Sequence, residues 1–116
     1  MTRTWFVTGT DTDVGKTAVG CALLAAAAAT GLRTAAVKPV AAGCDEHGRN
    51  EDALQLMAAM TEKLAYEQVN PVALKAAIAP HIAARQEGKS LQVSRLSGLC
   101  RGVMLSGADL VLIEGA

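Results

Sequence analysis

The sequence predicts an α/β fold, in which helices cover both faces of a doubly wound, mostly parallel sheet. Residues 4–8 are apolar and rich in β-branched and aromatic side chains, residues 18–29 are rich in alanine and leucine, and residues 110–113 are continuously apolar. The first and third segments are typical of buried strands, and the second is typical of a helix. A second strand is predicted at residues 33–37, so the first helix joins two strands in a βαβ unit with parallel pairing.

The middle of the chain predicts shorter elements. Residues 40–48 are small or polar, which indicates a loop, and Asn50 is suited to cap a short helix that runs to about residue 60. Asn70-Pro71 indicates a turn, and a helical turn or two is expected after Pro80. Apolar residues then recur at helical spacing from residue 96, which predicts an amphipathic helix that ends near Gly107 and covers the sheet.

The composition excludes several classes of protein. With 116 residues, of which 51% are hydrophobic, the chain is long enough to form one small globular domain. Its formal net charge of zero gives no electrostatic basis for binding nucleic acid or an anionic membrane surface. The longest apolar run, residues 21–29, is about half of the roughly 20 residues that a membrane helix needs, so no membrane span is expected.

The cysteines and the start of the chain indicate a reducing compartment. Cys21, Cys44 and Cys100 are odd in number and lack the Cys-x-x-Cys spacing of a zinc site, so neither a disulfide framework nor a structural metal is expected. Residues 1–3 lead directly into the first predicted strand and leave no room for a cleavable signal segment. We therefore expect a cytoplasmic protein.

The stretch Gly9-Thr10-Asp11-Thr12-Asp13-Val14-Gly15-Lys16-Thr17 resembles a phosphate-binding loop whose first glycine is displaced. The usual loop has four residues between its first glycine and Gly-Lys-Ser/Thr, whereas five separate Gly9 from Gly15. The end of the loop keeps the required chemistry, because N–H groups at the start of the following helix can bind phosphate oxygens. Lys16 is suited to the outer phosphates and the Thr17 hydroxyl to a magnesium ion. The fold is therefore expected to be P-loop NTPase-like.

Three further polar residues are predicted at or near the same site. Lys38 follows the second strand and Glu114 ends the last one, so both belong with Gly15 at the carboxyl edge of the sheet. Asp52 stands in the first turn of a helix, where a carboxylate can also serve only to stabilise the helix dipole. Thr17, Asp52 and Glu114 together offer three hard oxygen ligands, which suit magnesium better than zinc or iron. From its position alone, Lys38 is equally consistent with a surface lysine.

Six motifs follow one another along the chain, at residues 7–17, 37–43, 50–54, 69–71, 79–81 and 111–116. The phosphate loop, Val37-Lys38-Pro39-Val40-Ala41-Ala42-Gly43 and the terminal Glu114-Gly115-Ala116 form the most specific combination. In these motifs the chain resembles dethiobiotin synthetases over nearly its whole length. The resemblance implies a magnesium- and ATP-dependent ligase of biotin synthesis. In that family 7,8-diaminononanoate takes up CO2, supplied as CO2 or bicarbonate, as a carbamate. ATP phosphorylates the carbamate, and the second amine closes the ureido ring.

The resemblance also implies roles for individual residues. The ATP phosphates would be wrapped by six consecutive residues, Asp13, Val14, Gly15, Lys16, Thr17 and Ala18. Magnesium would be bound by Thr17, Asp52 and Glu114. Asp52 and Glu114 would also belong to the nucleotide site. Lys38 and Lys16 would be the catalytic lysines, with Lys38 stabilising the carbamate and the transition state of its phosphorylation. The substrate would lie near Thr12, Lys38 and Ala42.

Two departures from the family pattern bear on these expectations. Ala42 stands where some relatives carry a serine whose hydroxyl contacts the substrate. Members of the family are about twice as long as this chain, a size still ordinary for one α/β domain. We therefore expect residues 1–116 to be the N-terminal part of a single P-loop nucleotide-binding domain, whose activity on its own is in question. The full-length protein is expected to be a homodimer.

Three rival interpretations share the phosphate loop. A partition or septum-placement ATPase carries a signature lysine five residues before the loop lysine, and that position is occupied here by Asp11. An amidating ligase of cobalamin synthesis would need a glutaminase domain downstream. A non-catalytic nucleotide-binding protein is the third alternative. Asp11 counts against the ATPase switch, and the other two alternatives stay open at this point.

Overall fold

A three-stranded parallel sheet forms the centre of the protein. The computed structural model describes residues 2–8, 15–76, 80–88 and 92–115. In chain order the elements are β1 (Arg3–Val7), α1 (Lys16–Ala29), β2 (Thr34–Val37), β3 (Val40–Ala41), α2 (Glu51–Ala59), α3 (Tyr66–Val69), β4 (Val72–Ala73), α4 (Pro80–Gln86), α5 (Val93–Met104) and β5 (Leu110–Glu114). The strand order of the sheet is β1-β5-β2, and β3 pairs with β4 in a separate parallel ribbon.

Strand β5 lies in the middle of the sheet, and its burial on both faces agrees with its apolar sequence. All five of its residues are buried, which is typical of a strand covered on both faces. Its parallel register pairs Val7 of β1 with Glu114 and Val37 of β2 with Ile113. The carboxyl ends of the three strands therefore meet at one edge, where Lys38 and Glu114 are expected.

Helices cover both faces of the sheet, which confirms the doubly wound α/β prediction. One core joins α1, α2 and α3 to the sheet through Leu24, Ala36, Ala53, Leu56, Met60, Val69 and Leu112. The other joins α5 to the opposite face through Ala35, Val37, Cys100, Val103, Ala108, Val111 and Ile113. Residues of β2 and β5 alternate between the two cores because successive side chains of a strand point to opposite faces. Gly20 lets α1 lie close to the sheet, since a Cβ there would be 3.3 Å from Leu112 Cδ2.

Two expectations about β1 are wrong. The predicted βαβ unit pairs the first two strands with each other, whereas β5 lies between β1 and β2 and is parallel to both. The first strand is also expected to be buried, yet Trp5 is 42% exposed and Phe6 is 70% exposed. Among the described strands β1 pairs with β5 alone, so it forms an edge of the sheet and its aromatic side chains reach solvent.

The middle of the chain departs most from the prediction. Asn50 caps α2 as expected, since its Oδ1 accepts a hydrogen bond from Ala53 N at 3.0 Å. The predicted loop at residues 40–48 begins with β3, and neither α3 nor β4 is predicted. These elements are too short to show a periodic pattern, and β3 and β4 form by pairing with each other. The helix after Pro80 is confirmed as α4, and α5 ends a few residues before Gly107.

Two findings bear on the class of protein. Cys21, Cys44 and Cys100 are all free thiols, in agreement with their spacing in the sequence. Across the described ranges, no helix combines the length and the apolar character needed to cross a membrane.

Candidate functional site

Helix α1 begins at the end of the predicted phosphate loop. Thr12, Asp13 and Val14, which belong to that loop, lie outside the described residues. Gly15 is the N-cap of the helix and has a φ of 80°, a left-handed conformation that glycine adopts without strain. The N–H groups of the first helical turn point toward this end of the helix, where the helix dipole favours an anion.

Glu114 is the buried centre of the site. Its side chain is fully shielded from solvent at the end of β5. Thr17 Oγ1, from the first turn of α1, donates to Glu114 Oε1 at 2.9 Å and to Oε2 at 3.2 Å. Lys38 Nζ, one residue past β2, lies 3.1 Å from Oε2. The carboxylate is therefore satisfied by a hydroxyl and an ammonium group, as a buried charge requires.

Two ammonium groups converge on the carbonyl oxygen of Gly115. Lys38 Nζ donates to this oxygen at 3.0 Å and Lys16 Nζ at 3.3 Å. Both lysines are buried, with 4% and 6% of their surface exposed. Both ammonium groups thus lie at the edge of the sheet that holds the buried Glu114. Cationic groups in a poorly solvated place suit an anionic ligand such as a phosphate group.

Asp52 lies on the helix beside α1. It is half-buried in the first turn of α2, which packs against α1. Burial raises the pKa of the Cys21 thiol above its ordinary value, and the negative charges of Glu114 and Asp52 raise it further. Both carboxylates therefore lie within electrostatic range of Cys21. Within the described ranges, no three His, Cys, Asp or Glu side chains gather as a metal site. The predicted magnesium ligands, however, include only two side chains of these types, Asp52 and Glu114, and the third ligand is the Thr17 hydroxyl.

The remaining predicted residues are Ala18 and Ala42. Ala18 follows Thr17 in the first turn of α1 and is exposed. Ala42 directly follows β3, and its carbonyl oxygen accepts a hydrogen bond from Asn50 Nδ2 at 3.2 Å. Four of the predicted site residues are thus joined by direct contacts among themselves or through Gly115: Lys16, Thr17, Lys38 and Glu114.

A hydrogen-bond network beside these residues is not predicted from the sequence. Tyr66 Oη accepts a hydrogen bond from Asn50 N at 2.6 Å and donates one to Asn70 Oδ1 at 2.8 Å. Burial raises the pKa of Tyr66, so the hydroxyl keeps its proton at neutral pH. Asn70 Nδ2 donates to Lys38 O at 2.9 Å and to Val72 O at 3.0 Å. The Asn-Pro pair in the sequence indicates a turn there, but it does not indicate the partners of the Asn70 side chain.

An apolar cleft opens beside Glu114. It has a volume of about 290 Å³ and is lined by Phe6, Thr8, Pro39, Val40, Ile113, Glu114 and Gly115. Hydrocarbon forms most of its walls, and Glu114, which belongs to its lining, is buried. The cleft therefore suits an aliphatic group.

Several proteins named ATP-dependent dethiobiotin synthetase BioD are similar to this chain. The one from Marinobacter nauticus is 60% identical over an aligned length of 117 residues, and the alignment covers 98% of this chain and 50% of the relative. The one from Cellvibrio japonicus is 60% identical over 117 residues, covering 98% and 51%. The one from Yersinia pestis bv. Antiqua is 51% identical over 119 residues, covering 100% and 49%. The resemblance predicted from the motifs is confirmed, and the chain spans about half the length of the curated relatives it matches.

A second comparison uses models of protein families. The family described as AAA domain matches residues 3–116. Its match extends over the phosphate loop, the parallel sheet and the edge at which Glu114 lies, in agreement with the predicted P-loop NTPase-like fold. Because the match covers nearly the whole chain, this protein belongs to the AAA domain family.

Proposed function

We propose that this chain carries the phosphate and magnesium site of an ATP-dependent dethiobiotin synthetase. The observation that carries the proposal is the contact of Thr17 and Lys38 with the buried Glu114, directly beside the N-terminus of α1. A hydroxyl, a carboxylate and a second lysine are thereby gathered where a phosphate group would lie. The names of the relatives support the same activity and do not favour a partition ATPase.

The ATP phosphates would lie at the start of α1. The first-turn N–H groups of Lys16, Thr17 and Ala18 and the helix dipole favour an anion there. The Lys16 ammonium group, which lies near Gly115 O, would face the outer phosphates. Asp13 and Val14 would complete the loop around them, a role that rests on the sequence pattern.

The donor atoms beside the phosphates fit a magnesium ion. Thr17 offers a hydroxyl oxygen, and Glu114 and Asp52 offer carboxylate oxygens, which are the hard ligands that magnesium prefers. Among the described residues, Glu114 Oε1 accepts a hydrogen bond from Thr17 alone, which leaves its second lone pair for a metal ion. When bound at these residues, magnesium would offset the charge that develops during phosphoryl transfer.

Lys38 would act on the carbamate. In the proposed reaction one amine of the diamine forms a C–N bond with CO2, and a carbamate oxygen attacks the γ-phosphorus as the bond to ADP breaks. The second amine then attacks the carbonyl carbon, closes the ureido ring and expels inorganic phosphate. The Lys38 ammonium group, held by Glu114 and Gly115 O, would neutralise the negative charge on the carbamate and on the oxygen that passes from it to phosphate.

The apolar cleft beside Glu114 supports a substrate with an aliphatic chain. Phe6, Pro39 and Val40 give it hydrocarbon walls, and Glu114, the ion-pair partner of Lys38, belongs to its lining. 7,8-Diaminononanoate combines such a chain with two amines near one end. The amines would lie beside Lys38 and the chain along the apolar walls.

We further propose that the protein works in the cytoplasm and, at full length, as a homodimer. The free thiols of Cys21, Cys44 and Cys100 support a reducing compartment. The homodimer rests on the resemblance to dethiobiotin synthetases.

The proposed reaction is tested by supplying the full-length protein with ATP, MgCl2, bicarbonate and 7,8-diaminononanoate. We expect ADP release to require all of them, because the carbamate is the phosphoryl acceptor and does not form without the diamine. Dethiobiotin measured by mass spectrometry should match the ADP released. ATP hydrolysis at an unchanged rate without the diamine would contradict the proposal and favour a switch ATPase.

A further inference from the structure

The backbone of Lys38 is held by residues outside the main sheet. β2 ends at Val37, which is the last residue of that strand in register with β5, so Lys38 lies one position beyond the ladder. Lys38 N donates to Val69 O at 2.7 Å, and Lys38 O accepts from Asn70 Nδ2 at 2.9 Å. Both backbone polar groups of Lys38 are therefore bound by two adjacent residues at the end of α3.

The partners of Asn70 fix the orientation of its side-chain amide. Asn70 is 3% exposed, and its Nδ2 donates to two carbonyl oxygens, those of Lys38 and Val72. A flipped amide would turn its oxygen toward both carbonyls and lose both bonds. Tyr66 Oη donates to Asn70 Oδ1 while it accepts from Asn50 N, so the phenol holds the amide from its other end.

The same network reaches a second part of the proposed site. Asn50 caps α2, and Asp52 lies in the first turn of that helix. Tyr66 bonds to Asn50 on one side and to Asn70 on the other, so a single phenol links the start of α2 to the backbone of Lys38. Tyr66 and Asn70 therefore form a hydrogen-bonded link between Lys38 and the N-terminus of α2.

We propose that Asn70 is a positioning residue, which holds the backbone of Lys38 so that its ammonium group meets Glu114 and Gly115 O, and that Tyr66 orients the Asn70 amide for this task. The inference rests on the proposed role of Lys38. Neither side chain is placed among the reacting atoms, so both act through Lys38. A displacement of about 1 Å at a reacting group can cost on the order of 100-fold in rate.

The proposal is tested with Asn70→Ala, Tyr66→Phe and the double variant of the full-length protein. We expect kcat for dethiobiotin formation to fall about 10- to 100-fold in Asn70→Ala and less in Tyr66→Phe. The Kd for ATP should stay within about twofold of the value for the unaltered protein. The substitutions are not expected to change the binding that the ground state and the transition state share. The double variant should be no slower than Asn70→Ala, because Tyr66 acts through Asn70. Hydrogen exchange at the Lys38 amide should speed up in Asn70→Ala, independently of activity.

Thr61→Ala is the matched control for a general loss of stability. The Thr61 hydroxyl accepts a hydrogen bond from Thr34 N at 2.7 Å, at the opposite end of β2 from Lys38. We expect this variant to unfold at a lower temperature while keeping its kcat. The proposal is overturned if Asn70→Ala keeps the kcat of the unaltered protein, or if both variants lose kcat in proportion to their lowered melting temperatures.

Two further outcomes separate this proposal from the proposed function. If Asn70→Ala does not fold, Tyr66→Phe decides the test, because it keeps the aromatic ring and removes only the hydroxyl; an unchanged kcat in Tyr66→Phe would then overturn the inference. Lys38→Met with full activity would overturn the proposed role of Lys38 and with it the inference. An inactive Lys38→Met beside a fully active Asn70→Ala would overturn the positioning role alone.

Discussion

Replacement of Lys38 by methionine is expected to lower the rate of dethiobiotin formation by about 100- to 1,000-fold. Methionine keeps the length of the apolar stem and removes the ammonium group that lies 3.0 Å from Gly115 O and 3.1 Å from Glu114 Oε2. In the proposed mechanism the lost interaction is the one with the carbamate and its phosphorylation transition state, so kcat should fall. The Kd for ATP, measured by isothermal titration, should change little because Lys16 remains.

Lys63→Met controls for the loss of a lysine as such. Lys63 is exposed in the segment after α2, next to Glu62, whose N–H bonds to Thr34 O at the far end of β2 from the site. Its replacement should leave kcat unchanged. Equal activity of the Lys38 and Lys63 variants would contradict the proposed role of Lys38.

Replacement of Glu114 by glutamine is expected to destabilise the fold by about 3 to 5 kcal/mol, the range for a buried ion pair that loses one partner. Glutamine keeps the shape of the side chain, but it leaves the Lys38 ammonium group buried without its counter-charge. The free energy of unfolding is measured by urea denaturation, with and without MgCl2. The unaltered protein should be stabilised by the ion in the presence of ATP, and the variant much less, because Glu114 is a proposed ligand.

A double-mutant cycle measures the interaction energy between Lys38 and Glu114. Lys38→Met combined with Glu114→Gln removes both charges, so the loss of stability should be smaller than the sum of the two single losses. The exposed ion pair between Arg33 and Glu62 is the comparison, and Glu62→Gln should cost much less because solvent screens it. Additive losses in the Lys38 and Glu114 cycle would mean that the two charges do not stabilise each other.

The edge of the sheet is predictable from the sequence because local patterns specify it. The apolar run before Glu114 and the strand before Lys38 place both residues at the carboxyl ends of parallel strands, and the structure joins them by an ion pair. Thr17 is placed by the Gly-Lys-Thr group at the start of a helix, and its hydroxyl contacts the same carboxylate. These placements need only the direction of each strand and the start of one helix.

The supporting contacts are not predictable in the same way. Asn70 bonds to Lys38, and Tyr66 bonds to Asn50, across separations that no short sequence pattern covers. The exposure of Phe6 is a similar case, because an apolar strand gives the same pattern at an edge as at the centre of a sheet. The order of the strands depends on pairing between distant parts of the chain. The position of β5 between β1 and β2 is therefore not contained in any local pattern.

The most direct test of the proposed carbamate-phosphorylating site follows oxygen atoms through a single turnover. The full-length protein is mixed with ATP, MgCl2, the diamine and freshly added 18O-labelled bicarbonate, and the inorganic phosphate is examined by mass spectrometry. If a carbamate oxygen attacks the γ-phosphorus and the C–O bond later breaks, one labelled oxygen passes into phosphate, and Lys38→Met abolishes the transfer. Unlabelled phosphate, formed at the same rate with and without the diamine, would contradict the proposal.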